Sequence, residues 1–234
     1  MPIDKIIVET SDSLSRLWQT KLEAIRVPTK EDEGRFYHVI ISLSRTALKN
    51  YYMLRGALDA NDQEHLAWAC RNLLELNVFM KNILKSKDRL LEFAHYRHAD
   101  GIQIVERLIK LEEKHQTEQG QQPGTSEINS NLRARLDEFN KARIADGVVS
   151  TKHLPTREWA EVVGLEDDYD IINKVCSKLV HPTSWSILTE DIGTERFPDA
   201  YELFYLFGTM YFAEMFNDLG EHMNKCGLSH TPKQ

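Results

Sequence analysis

Apolar side chains recur at intervals of three and four residues along almost the whole chain, which is the spacing of amphipathic α-helices. No stretch of any length alternates apolar and polar residues as a half-buried β-strand does. The pattern predicts helices at about 11–26, 35–58, 62–86, 87–116 and 127–145, a short helix between Thr156 and Gly164, a helix at 166–180, and a last helix from Pro198 to Gly227. We therefore expect an all-α bundle of about seven to nine helices.

Residues 117–126 form the clearest loop in the sequence, because they are polar and contain glycine and proline. A solvated helix and a connection follow, up to residue 156. We predict that 1–234 is a single helical domain and that 117–156 is a solvent-exposed excursion on its outside. The first helix is expected to start at Ser11 or Asp12, both good N-cap residues.

The helix predicted at 62–86 is apolar on most of its sides, with Leu74 and Val78 behind the main stripe. Such a helix is expected at the centre of its bundle. Arg71 and Glu75 lie one turn apart on its second apolar face. Two interpretations stay open: an internal ion pair that fixes packing, or an anion-binding arginine oriented by Glu75.

The helix at 166–180 should stop at His181, because Pro182 disfavours helical geometry in the residue before it. The unpaired carbonyls at a helix end favour the protonated form of a nearby imidazole, so His181 is a candidate acid–base group. Ser177 and Lys178, about one turn earlier, and Lys174, two turns earlier, lie on roughly the same side. Alternatively, His181 merely caps the helix and shapes the turn.

Composition restricts the classes of function. The net charge of −7 excludes a global positive field for nucleic acid, so RNA binding would need a local basic patch. The three widely spaced cysteines, Cys70, Cys176 and Cys226, are expected to be reduced core thiols. With no signal peptide and no membrane-spanning stretch in the sequence, we expect a cytoplasmic protein that does not bind membranes.

Neither a metal nor a cofactor is expected. Two Glu-x-x-His spacings, Glu92–His95 and Glu112–His115, fall on one predicted helix about five turns apart, too far to share a metal ion. Nucleotide-binding loops, zinc-protease motifs and hydrolase nucleophile motifs are absent from the sequence. The aromatic stripe of the last helix is expected to be core or a dimer face, since acidic residues interrupt it.

The segment 69–76, with Arg71 and Glu75, resembles one signature of an uncharacterised bacterial all-helical family, a domain of unknown function. Tyr169, Ser177 and His181-Pro182 resemble its second signature. That family is in turn similar to the HEPN class of helical bundles, many of which are metal-independent ribonucleases of defence and toxin systems. The likeness extends over roughly 35–220.

The resemblance implies a HEPN-like homodimer, paired through helices near His181, that acts on RNA or nucleotides. His181 would be the acid–base group at a ribose 2′-hydroxyl. HEPN ribonucleases place an arginine before the histidine with four to six residues between the two, and of Lys174, Val175 and Cys176 at those positions only Lys174 carries a charge. Lys174 or Arg71 would therefore stabilise the phosphate, with Glu75, Ser177 and Tyr169 in support. The alternative is a non-catalytic helical interaction or scaffold module in which His181, Arg71 and Glu75 are structural.

Overall fold

The computed structural model describes residues 4–25, 31–148, 156–180 and 198–225. In these ranges the chain forms eight α-helices and no strand, which confirms the all-α prediction. The helices are α1 (Lys5–Ala24), α2 (Glu31–Asp59), α3 (Gln63–Lys85), α4 (Lys87–Glu118), α5 (Glu127–Ala145), α6 (Thr156–Val162), α7 (Glu166–Val180) and α8 (Pro198–Lys225). No helix in the described ranges is long and apolar enough to cross a bilayer.

Helix α1 begins six residues earlier than the sequence predicted. Asp4 caps it, since the Asp4 Oδ1 accepts a hydrogen bond from the Ile6 N–H at 2.9 Å. The prediction of a cap at Ser11 or Asp12 is therefore wrong. The Tyr51 hydroxyl of α2 lies within hydrogen-bond distance of both side chains, 2.8 Å from the Ser11 Oγ and 2.7 Å from the Asp12 Oδ1. Short polar side chains of the kind that cap helices can also supply a hydrogen-bond partner for the hydroxyl of a buried tyrosine.

The chain divides into two compact units, Met1–Ser86 with Thr156–Gln234, and Lys87–Pro155. The second unit contains all of α4, so it begins before residue 117, where the sequence placed the excursion. That the whole chain is one domain stays a prediction.

Helix α3 is the centre of the first unit, as the apolar residues on most of its sides predicted. It packs against α2, α6, α7 and α8, and both Leu74 and Val78 on its second face are fully buried. Asp62 caps it, accepting a hydrogen bond from the backbone N–H of His65 at 3.1 Å. Trp68 differs from its neighbours, because 39% of it is exposed.

Helix α8 contributes most of the aromatic core. Phe212 stacks on Tyr51 of α2 at 4.5 Å and meets Phe216 edge-on at 4.8 Å. Gly208 permits the close approach of α8, since a Cβ at that position would lie only 2.8 Å from a methyl carbon of Leu54. The core interpretation of the aromatic stripe is confirmed for these buried rings.

The second unit consists of α4 and α5, which pack side by side as a hairpin. Gly101 on α4 lies beneath the Phe139 ring of α5, and a Cβ there would be 2.7 Å from it. At the end of α5, the Asp146 carboxylate accepts a hydrogen bond from the Nε2 of the buried His98 at 2.7 Å. Gly147 follows with φ of +67°, the left-handed conformation in which a helix commonly ends.

Candidate functional site

Helices α3 and α7 meet at Arg71. Its Nε donates a hydrogen bond to the Glu75 Oε1 at 3.1 Å, within α3. Its Nη1 donates to the Ser177 Oγ of α7 at 3.3 Å. The Ser177 hydroxyl in turn lies 3.4 Å from the Asn173 Oδ1, one turn earlier on α7. Arg71 therefore links the two segments that the sequence analysis selected independently.

The arginine at this contact is only partly enclosed. The side chain of Arg71 is 32% exposed and that of Glu75 is 24% exposed, so the ion pair is neither sealed in the core nor free in solvent. Among the described residues, no group accepts a hydrogen bond from the second terminal nitrogen, Nη2. Within the described residues, Nη2 thus keeps donor capacity for an anion, while the hydrogen bonds at Nε and Nη1 hold the guanidinium in position.

Tyr169 lies beside this ion pair. Burial is the main cause that raises the pKa of Tyr169 above its ordinary value, and the Glu75 carboxylate raises it further. Arg71 and a hydrogen bond with Asn173 act in the opposite direction. The phenol is therefore neutral at physiological pH and retains a proton that it can donate.

Lys174 lies on the exposed side of α7. It lines an open hollow of about 470 Å³ together with Asp170, Asn173 and Ser177. Its ammonium makes no ion pair with any residue in the described ranges. Ser177 borders the hollow and also contacts Arg71, so the two candidate cations have a common neighbour.

An acidic patch lies at the start of α7. Arg157 of α6 forms ion pairs with Asp170 at 2.9 Å and Glu166 at 2.6 Å. Its hydrogen bond to Asp170 lowers the pKa of that carboxyl. Since Asp170 is already paired, the acidic rim of the hollow is partly neutralised.

Two buried thiols lie behind the site. Burial raises the pKa of Cys176 to about 12, although Arg71 acts against this, and burial likewise raises the pKa of Cys70. Both are unpaired and buried, which confirms the prediction of core thiols for them, whereas Cys226 lies outside the described residues. They are protonated at physiological pH and are therefore not nucleophiles.

His181 and Pro182 lie outside the described residues, and the described part of α7 ends at Val180. The acid–base role of His181 thus stays a prediction. No group of three or more histidine, cysteine or acidic side chains within the described ranges is placed to hold a metal ion.

The sequence analysis missed Asn173. A signal for it was present, because Tyr169, Asn173 and Ser177 recur at every fourth residue and so share one face of α7. All three have partners in the Arg71 cluster, which we define as Arg71, Glu75, Tyr169, Asn173 and Ser177.

Comparison with known proteins identifies the family. A model for a family of unknown function (DUF5677) matches residues 37–199. The chain belongs to that family. The matched range contains the whole Arg71 cluster, together with His181 and Pro182. No curated protein and no solved structure matches the chain.

Proposed function

We propose that this member of the DUF5677 family is a HEPN-like, metal-independent ribonuclease whose active site lies at the junction of α3 and α7. The observation that supports the proposal is the hydrogen bond from Arg71 to Ser177. Ser177 precedes His181 by four residues, so this contact brings an arginine with spare donor capacity to the helix that leads to the histidine.

In the proposed reaction, His181 accepts the proton of a ribose 2′-hydroxyl. The 2′-oxygen then forms a bond to the adjacent phosphorus, and the bond from phosphorus to the 5′-oxygen breaks. The departing 5′-oxygen takes up a proton from water, and His181 returns its proton to solvent, which leaves a 2′,3′-cyclic phosphate and a 5′-hydroxyl. Arg71, or Lys174 in its place, stabilises the negative charge on the phosphate oxygens. The reaction needs neither a metal nor a cofactor.

The remaining members of the Arg71 cluster would position the arginine. Glu75 and Ser177 each accept one of its hydrogen bonds, which fixes the orientation of the guanidinium. The homodimer that the resemblance implies is part of the proposal. It is supported by the exposed apolar side chains of Ile171 (60% exposed) and Val175 (44% exposed) on α7.

The test is RNA cleavage by the purified protein in the presence of a metal chelator, followed by analysis of the product ends. We expect cyclic phosphate ends from the wild type and loss of cleavage in His181→Ala. His38→Ala is the matched control, because His38 is an exposed histidine on α2 without a partner among the described residues. Melting temperatures monitor folding. Equal cleavage by wild type and a folded His181→Ala protein, or no cleavage of any RNA by the wild type, would refute the proposal.

Arg71→Gln and Lys174→Ala distinguish the two candidate cations. Loss of a transition-state donor lowers the rate by about 10²–10³-fold. We expect that loss for Arg71→Gln and a smaller one for Lys174→Ala, since only Arg71 is held by hydrogen bonds that it donates to acceptors on both helices. The reverse order would assign the phosphate-stabilising role to Lys174.

The second candidate is a non-catalytic interaction module. It is favoured by the engagement of Arg71 with both Glu75 and Ser177, which is how a purely structural ion pair would look. In that case Arg71→Gln lowers stability, and neither the wild type nor any variant cleaves RNA.

A further inference from the structure

An exposed stripe runs along α4, on a face different from its buried one. Its seven members are spaced three or four residues apart and all are exposed: Arg97, Asp100, Ile104, Leu108, Leu111, His115 and Glu118. We call them the α4 stripe. Its three central residues are aliphatic and are 59%, 44% and 64% exposed in chain order. A run of large aliphatic side chains on a solvent-facing helix indicates an interface.

The α4 stripe is nearly symmetric about a point between Arg107 and Leu108. Ile104 and Leu111 lie equally far from that point in the sequence, one on each side. Asp100 and His115 form a second such pair, further out. The outermost pair is Arg97 and Glu118, which carry opposite charges.

This arrangement is what an antiparallel contact between two identical helices requires. A two-fold axis at the midpoint would place Ile104 of one chain against Leu111 of the partner subunit. It would also place Arg97 against Glu118 of the partner subunit, at both ends of the contact. Arg97 makes no ion pair with any described residue of its own chain, whereas Glu118 contacts Lys114 at 3.7 Å.

Helix α5 widens the same surface. A groove of about 540 Å³ lies between α4 and α5, and its lining includes Leu108, Leu111, Ile128 and Leu132. Ile128 is 59% exposed, so the apolar area continues from α4 onto α5. Two hairpins that pair through this area would form a four-helix arrangement that encloses apolar surface a single hairpin leaves open.

We propose that the α4 stripe binds a second copy of this chain in an antiparallel, two-fold symmetric contact. The contact would be about 31 Å long, from Arg97 to Glu118. An interface of that length and little more than one helix in width falls toward the lower end of specific interfaces, so the dimer should dissociate on dilution. This surface is separate from the α7 face in the proposed function and does not depend on ribonuclease activity.

The test is the molar mass of the full chain in sedimentation experiments over a range of concentrations. We expect a monomer–dimer equilibrium in the wild type. Leu108→Glu would place two like charges near the axis, and we expect it to weaken association at least tenfold. Ile144→Glu is the matched control, because Ile144 on α5 is 71% exposed but lies outside the stripe. It should leave the equilibrium unchanged.

A charge exchange tests the register of the contact. Arg97→Glu should weaken association about five- to tenfold, since both symmetric ion pairs become repulsive. The double variant Arg97→Glu/Glu118→Arg should restore it. The proposal is overturned if the wild type is monomeric at every concentration. It is equally overturned if Leu108→Glu and Arg97→Glu leave a dimer intact. If Val175→Glu dissociates that dimer, the chains associate through α7 and not through the α4 stripe.

Discussion

In the first compact unit one helix, α3, is enclosed by four others, whereas in the second unit α4 and α5 have one contact face between them. Leu74 and Val78 on the far side of α3 are fully buried. On α4, by contrast, Ile104 and Leu111 are more than half exposed. The second apolar face of α3 is therefore buried by other helices of the same chain, whereas the second apolar face of α4 is exposed.

The polar groups of the two units differ in the same way. In the first unit, Arg71 and Glu75 occupy an edge of the enclosed helix where α7 supplies a further partner. In the second, Arg97 and Glu118 are exposed at the two ends of an aliphatic stripe. The first unit thus carries the proposed active site and the second carries the α4 stripe. Each prediction below tests how sharply the packing of the two units differs.

The largest expected difference concerns buried and exposed side chains. Phe212→Ala should lower the free energy of unfolding by about 3–5 kcal/mol, because it removes a fully buried ring stacked on Tyr51. Ile144→Ala in the second unit should change it by less than about 0.5 kcal/mol. Urea unfolding of both variants measures the two values. Similar losses would show that the second unit is packed more tightly than the exposure of its side chains indicates.

A smaller difference is expected between two glycines at helix contacts. Gly208→Val should cost about 2–3 kcal/mol, because its side chain would meet the fully buried Leu54 and approach the backbone of Cys70 at 3.4 Å. Gly101→Val should cost about 1 kcal/mol or less, since the Phe139 ring that it meets is only half-buried and can turn aside.

Gly56→Val is the control for this pair, because nothing lies within 4 Å of a Cβ at that position. It should be neutral or slightly stabilising, as valine is a better helix former than glycine. Amide hydrogen exchange shows where the structure is destabilised. Exchange should become faster in α8 for Gly208→Val and in α5 for Gly101→Val. If Gly208→Val and Gly101→Val lower the free energy of unfolding equally, the two helix contacts do not differ in packing as we expect.

Local rules were sufficient to predict most helices from the sequence. The helix predicted at 62–86 is α3, one residue shorter at each end, and the apolar residues on most of its sides indicated its central position. The start of α1 was wrong because Asp4, Ser11 and Asp12 are all suitable caps. Ser11 and Asp12 contact the Tyr51 hydroxyl instead of capping the helix, and Tyr51 lies 40 residues beyond Ser11 in the chain.

In the candidate site, too, local patterns predicted some features, whereas others depend on residues that are distant in the chain. Arg71 and Ser177 were each selected from local patterns, yet their contact joins residues 106 positions apart and follows only from the packing of α3 on α7. Asn173 required no tertiary information, only attention to its four-residue spacing from Ser177. The α4 stripe was overlooked because its aliphatic residues stand out only when their exposure is known.

The smallest predicted effect concerns the cap of α3 and its dependence on pH. The hydrogen bond from the His65 N–H is the main cause that lowers the pKa of Asp62 below its ordinary value of 3.8. A carboxyl with a lowered pKa stabilises the fold fully above its unfolded value, and this contribution disappears as the pH falls through the folded value. Asp62→Ala should therefore cost about 0.5–1 kcal/mol at neutral pH, at the modest end for caps because the side chain of Asp62 is 40% exposed.

Below pH 3.8, that cost should shrink toward the value of a neutral cap. Asp62→Asn is the matched control, since asparagine caps a helix about as well but does not titrate in this range. The difference in unfolding free energy between Asp62→Asn and Asp62→Ala should be constant from pH 7 to acid, while that between wild type and Asp62→Ala declines. A wild-type difference that is flat across the same range would mean that the charge on Asp62 adds nothing to its hydrogen bond. The cap at the N-terminus of the central helix would then contribute only what a neutral hydrogen-bonding side chain contributes.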